Sequence, residues 1–228
     1  MTEHKRKRIA RAPSRLQIAA SKLEWDGDAL QIAVDEICAP LPRRIRGCLS
    51  VRPAAFTARA LCLAERHHWQ PIAPRARIEV RLDEPRVVWQ GDAYFDSNWG
   101  GEPLEAAFGS WQWSRRHAGN ATVIAYDTLL RAGREQSLAL KISGDGSIEA
   151  LPLEPALALP ATLWRIPRQV RSAVGVLGLQ TLEDTPFYAR SLLGTEQGDM
   201  MHESLSLTRL VAPLTRAMLP FRMPRAFF

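Results

Sequence analysis

A mainly β chain folded as an antiparallel barrel or sandwich is what this sequence predicts, on two observations. Apolar and polar residues alternate over short stretches, and turn sequences separate those stretches. Leu30-Gln31-Ile32-Ala33-Val34, Arg77-Ile78-Glu79-Val80-Arg81-Leu82 and Ser137-Leu138-Ala139-Leu140-Lys141-Ile142 each read as a strand with one buried face, because successive side chains of a strand point to opposite sides. Trp25-Asp26-Gly27-Asp28, Leu82-Asp83-Glu84-Pro85 and Ser143-Gly144-Asp145-Gly146 supply the residues that let a chain reverse between strands. The stretch 151–160, spaced by prolines, reads as a linker or edge strand, since proline cannot donate within a central ladder. A composition break at Ser97-Asn98-Trp99-Gly100-Gly101-Glu102-Pro103, polar and glycine-containing, reads as a connection between two β-domains, 1–98 and 99–228.

At 228 residues the chain is long enough to bury a core without staples. Cys38, Cys48 and Cys62 are odd in number and form no CxxC pair, which argues against a disulfide framework or a zinc site and favours a reducing compartment. No apolar run reaches the roughly 20 residues that span a bilayer. The opening MTEHKRKRIARAPSRL has basic residues but no apolar core behind them, so neither export nor a membrane span is expected. The net charge of +6 is carried mainly by arginine and comes without a recognisable nucleic-acid module, so an anionic membrane surface is the better partner and nucleic acid is not expected. The end of the chain, 210–228, mixes bulky apolar residues with arginines and contains no acid, a composition suited to resting on such a surface.

Two clusters carry the chemistry-bearing residues. In Arg66-His67-His68-Trp69, an extended backbone points His67 and Trp69 to one face. In Tyr94-Phe95-Asp96 the same parity joins Tyr94 and Asp96 beside a glycine-rich turn. Each pair taken alone is equally a strand edge with a solvated histidine or a turn with a capping aspartate. Together, at equal separation with strand-like 77–82 between them, they can converge on one pocket. His67 and His68 are adjacent and point to opposite faces, so no metal site is expected.

The stretch Gly91-Asp92-Ala93-Tyr94-Phe95-Asp96-Ser97-Asn98-Trp99-Gly100-Gly101-Glu102-Pro103-Leu104-Glu105, followed by Phe108, Trp111-Gln112-Trp113-Ser114-Arg115 and Val123-Ile124-Ala125-Tyr126-Asp127, resembles the signature region of the bacterial carotenoid 1,2-hydratases. Trp69-Gln70-Pro71, Pro186-Phe187-Tyr188-Ala189-Arg190-Ser191, His202-Glu203-Ser204-Leu205 and Leu219-Pro220-Phe221-Arg222 extend the resemblance over nearly the whole chain. The resemblance implies two lipocalin-like β-domains. It implies an enzyme that hydrates the terminal 1,2 double bond of neurosporene, lycopene or their derivatives without a cofactor. Members of that family carry additional sequence ahead of the region matched here, so the first domain is expected to be incomplete. The family's HxW and YxD pairs fall on His67, Trp69, Tyr94 and Asp96.

Such a reaction needs an acid, a cation stabiliser and a water. Asp96 is the candidate acid, since an apolar pocket disfavours a charged carboxylate, with Tyr94 holding its proton and Asp127 as the alternative. Trp69 would face the developing cation, Trp99 would share that role, and His67 would take the proton of the water. Trp111, Trp113 and Tyr126 serve as core aromatics or as pocket walls. Tyr188, Arg190, His202 and Glu203 read first as structural. Two other functions fit a similar scaffold: a cyclase or isomerase of another apolar intermediate, and a non-catalytic carrier of apolar ligands. A soluble fold handling a bilayer-dissolved substrate is expected on the cytoplasmic face of the inner membrane.

Overall fold

The computed structural model describes residues 4–38 and 42–222. Among the described residues seventeen strands, labelled β1 to β17, and three short helices, α1 to α3, follow a 3-10 turn at Arg6–Arg8, with eight strands before the first helix and nine between it and the second. The chain divides into two compact units. Unit 1 takes the described residues of 1–55, 75–95 and 216–228; unit 2 takes 56–74 and 96–215. Two of the crossings therefore fall inside continuous strands, at Pro74/Arg75 and Phe95/Asp96. The second lies close to the composition break at 97–103; the first carries no composition mark.

In unit 1, β1 (Ile9–Ala12), β2 (Arg15–Ile18), β3 (Ser21–Trp25), β4 (Leu30–Ile37) and β5 (Arg44–Pro53) form an antiparallel meander. The later part of β7 (His67–Glu84) pairs with β5, and β8 (Val87–Gly100) pairs with β7. Directly opposed residues of an antiparallel pair share a face. The register Leu16↔Leu23↔Ile32↔Leu49↔Val80 therefore builds one apolar row across five strands. The row Gln17↔Lys22↔Ala33↔Cys48↔Arg81 lies on the other, largely polar face. The three strands anticipated from alternation lie in β4, β7 and β11 (Glu135–Ile142). The turn at Asp26 forms as its chemistry demands: Oδ1 accepts from the backbone N–H groups of Asp28 at 2.9 Å and Ala29 at 2.8 Å.

Unit 2 holds the start of β7, which pairs with β6 (Leu61–Ala64), and the end of β8. Its main sheet has the order β12-β11-β10-β9-β17-β16-β15. The ranges are β9 Phe108–Ala118, β10 Ala121–Leu130, β11 Glu135–Ile142, β12 Ile148–Ala150, β15 Val176–Asp184, β16 Tyr188–Thr195 and β17 Gly198–Ser206. A two-stranded ribbon, β13 (Ala156–Leu159) with β14 (Arg168–Arg171), confirms the proline-spaced stretch as extended edge structure. α1 (Leu104–Ala107), α2 (Leu207–Leu210) and α3 (Pro213–Arg222) are short.

The register gives this sheet two different faces. One carries the row Leu138↔Tyr126↔Trp113↔Glu203↔Arg190 and beside it Leu140↔Ile124↔Arg115↔Met201↔Leu192. The other carries Ala139↔Ala125↔Ser114↔His202↔Ser191. The ribbon packs on this second face, where Leu159, Val170, Leu193 and Met200 make a buried cluster. The start of β7 covers part of the first face, with Thr122 Oγ1 donating to the Pro74 carbonyl at 3.0 Å.

One sequence expectation is corrected here. The stretch 97–103 is not all connection, since β8 runs on as strand to Gly100. Its hairpin partner supplies the backbone pairing that the polar side chains do not advertise, and strand formation follows context more than propensity. Cys38, Cys48 and Cys62 are free thiols. Among the described residues no helix is long and apolar enough to cross a membrane.

Candidate active site

The start of β7 alternates in burial, with His67, Trp69, Pro71 and Ala73 inward and His68, Gln70 and Ile72 partly exposed. His67 and Trp69 thus share a face, as parity requires. Trp69 is 0% exposed, and its indole Nε1 donates to Asp96 Oδ2 at 2.8 Å. An indole N–H can only donate, so Oδ2 is held as an acceptor, and a proton on this carboxyl belongs on Oδ1. The Trp69 ring meets Tyr126 edge to face at 5.5 Å, and Trp111 packs edge to face on both Tyr126 (6.1 Å) and Phe108 (6.0 Å). Such T-shaped contacts place ring edges against electron-rich faces and fix the rings relative to one another. Burial, then the charges of Asp96 and Glu203, push the Tyr126 phenol pKa well above its usual value, so it stays a neutral hydroxyl.

His67 is 3% exposed and meets Phe108 edge on at 5.1 Å. Its Nε2 is buried, makes no hydrogen bond, and lies 3.6 Å from Glu102 Oε1. That atom is enclosed, with the ring packed between Phe108 and Gly100. Gly100 closes the other side of the ring: a Cβ there would strike His67 Nδ1 and the Arg66 carbonyl. Arg66 is fastened at the same place, accepting from Gly101 N at 2.9 Å and donating from Nη2 to the Gly101 carbonyl at 2.9 Å. Gly100→Ala is expected to cost about 1–3 kcal/mol by overpacking, read as a lower denaturation midpoint, with His67 displaced in the structure.

Two expected site residues are placed elsewhere. Trp99 is 45% exposed and stacks on His68 at 5.6 Å, on the side of the hairpin away from Trp69 and Asp96. Trp99 lies three positions along the strand from Asp96, and that odd offset reverses the face. Asp127 is tied to Arg171, whose Nε donates to both of its oxygens at 3.1 and 3.0 Å. It anchors β14 to the sheet face opposite Tyr126, so it cannot substitute for Asp96. Asp127→Asn is expected to lower stability by about 1.5–3 kcal/mol, the value of a hydrogen bond to a charged group, read as a lower melting temperature. Trp113 does stand in the Tyr126 row. Tyr94 sits half-buried on β8 in unit 1, at the same-face position two residues before Asp96.

The fold brings two acids into play, Glu102, to which sequence reasoning gave no role, and Glu203, which it read first as structural. Glu102 faces the His67 ring, and Glu203 stands beside Trp113 in the aromatic row.

A lipocalin-like antiparallel β protein, with a carboxyl group held by a buried indole against an aromatic sheet face, is the class that this fold and site define. A Nitrosomonas europaea protein described as AttH superposes with a TM-score of 0.56 over 87% of this chain and 72% of its own, at 9% identity, a likeness of fold alone. The chain belongs to the carotenoid hydratase CrtC family, whose model matches residues 1–227. It is 50% identical to the acyclic carotenoid 1,2-hydratase of Thiocapsa roseopersicina and 43% identical to that of Rubrivivax gelatinosus, each over 99% of its length. The chain spans 58% of the length of each of these two relatives.

Proposed function

We propose that the protein adds water across the terminal 1,2 double bond of an acyclic carotenoid, giving the 1-hydroxy product. The observation that carries this reading is the Trp69 Nε1 to Asp96 Oδ2 hydrogen bond, 2.8 Å long, which aims a carboxyl group from within an aromatic cluster. The names of the two relatives agree with it. Asp96 protonates C2, the π electrons form the new C–H bond, and a tertiary cation is left at C1. Tyr126 and Trp111 offer ring faces to that cation, each worth about 0.5–2 kcal/mol depending on desolvation. Trp69 serves by orienting the acid, and His67 with Phe108 fixes the β7 backbone that carries it. Water then captures C1. The overall change is alkene plus water to alcohol, so the step calls for no electron carrier.

The same reading places the protein at the cytoplasmic face of the inner membrane, where its substrate dissolves. Leu214 and Met218 on α3 are 73% and 37% exposed, four residues apart and so on one helix face, which supports a peripheral contact. The remainder of the basic apolar tail, 223–228, lies outside the described residues. Deleting 210–228 is expected to release the protein from anionic vesicles; unchanged binding would count against the contact.

The test of the activity is incubation of the purified chain with detergent-dispersed lycopene or neurosporene, followed by chromatography with mass detection. A product heavier by one water supports hydration. Tight binding of the pigment by a folded chain without any such product would overturn it in favour of a carrier.

A further inference from the structure

Hydration is proton-neutral: one proton is delivered to carbon and another is removed from the captured water. A site with only an acid does half of this, and His67 is too enclosed to do the rest. The register of unit 2 supplies a second carboxylate. Arg190 on β16, Glu203 on β17, Trp113 on β9 and Tyr126 on β10 are successive cross-strand partners, so they form one row on the face to which Trp69 is applied. Tyr188, Leu205 and Trp111 form the adjoining row.

Within this patch Arg190 Nε donates to Glu203 Oε1 at 3.1 Å and to the Tyr188 hydroxyl at 3.0 Å, and the guanidinium lies 5.7 Å from the centre of the Tyr188 ring. The Glu203 side chain keeps 28% of its surface, so water reaches it, in contrast to His67 at 3%. Trp69 links the two carboxyl groups to one ring system: its indole holds Asp96 and packs on Tyr126, and Tyr126 shares its cross-strand row with Glu203. The sequence segments that hold this trio, 186–191 and 202–205, are ones that the reaction as described so far leaves unused.

We propose that Glu203, held by Arg190 and Tyr188, is the general base of the reaction, taking the proton of the water that captures the C1 cation. The inference rests on the hydration reading and deepens it. The water oxygen donates a lone pair to C1, giving an oxonium; the oxonium O–H bond breaks, its electrons stay on the product oxygen, and the proton passes to Glu203. Asp96 is then a carboxylate and Glu203 an acid, and exchange with solvent restores both. An oxonium is a strong acid, so a carboxylate paired with arginine is base enough.

The experiment follows lycopene in deuterium oxide with the wild type, Glu203→Gln, Glu203→Asp and Asp96→Asn. In the Gln variant 1-hydroxy product is expected to fall by at least about 100-fold, the usual worth of a positioned base. Recovered lycopene should nevertheless gain deuterium at its end group, because Asp96 still delivers a deuteron and the uncaptured cation collapses back to alkene. Glu203→Asp keeps the charge with a shorter reach, so an intermediate product loss with exchange retained is expected; it decides the matter if the Gln variant does not fold. Asp96→Asn should show neither product nor exchange. Wild-type hydration with full activity in Glu203→Gln would overturn the base assignment and leave hydration standing. So would loss of both product and exchange in a folded Gln variant. Absence of product from the wild type would instead overturn the hydration reading itself.

Discussion

Asp96→Asn is expected to lower hydration of lycopene by two to four orders of magnitude while leaving the fold in place, about the range that removing a positioned acid commonly costs. The substitution is close to isosteric, and its amide oxygen can still accept from Trp69 Nε1, the contact that measures 2.8 Å in the structure. Only the transferable proton is lost, so the melting temperature should move by no more than a few degrees while product formation collapses. Trp69→Phe separates the acid from its orientation. The ring remains to fill the buried site, but the donor is gone, and a hydrogen bond between neutral groups is worth about 0.5–1.5 kcal/mol, or roughly 2- to 10-fold in rate. The two variants should therefore rank in that order. Substantial activity in Asp96→Asn would move the acid's role to another carboxyl group on this face, with Glu203 first.

How far the site was legible follows from strand parity. The face shared by His67 and Trp69 is a two-residue regularity that any extended segment imposes, and the buried alternation of β7 obeys it. The same rule, applied more strictly, excludes residues that chemistry alone admits. Asp127 follows Tyr126 directly and so points to the opposite side of β10, where Arg171 takes it. Trp99 is an odd step from Asp96 and stacks on His68 instead. Glu203 is a different case. Its place beside Trp113 depends on the pairing of β17 with β9, strands far apart in sequence, and no local pattern announces which distant strand will be the neighbour. The crossings between the two units are similarly hidden, because a long strand passing from one to the other keeps its alternation unbroken.

Acid pH is expected to destabilise unit 2 through His202, on the sheet face away from the aromatic row. This imidazole is 0% exposed; its Nε2 bonds the Gln169 carbonyl at 2.9 Å, while Nδ1 is buried without a hydrogen-bond partner. Ser114 and Ser191 flank it across the sheet, and the Arg168 guanidinium nearby, itself bonded to Ser191 Oγ at 2.9 Å, adds like charge. Burial first, and Arg168 second, bring its pKa down to about 4 against a usual 6.5, although the bond to Gln169 pulls the other way. Above about pH 6.5 the ring is neutral in the folded and unfolded chains, and the folded state keeps its full stability. Between 6.5 and 4 the unfolded chain takes up a proton that the folded chain refuses, so stability falls as pH falls, by about 3 kcal/mol in all. Urea midpoints measured from pH 7.5 to pH 4.5 should decline in the wild type and decline distinctly less in His202→Gln; parallel curves would refute this linkage. Since His202 and Glu203 are neighbours on β17, protonating the first loosens the strand that presents the second, and hydration should fail over the same pH interval in which the fold weakens.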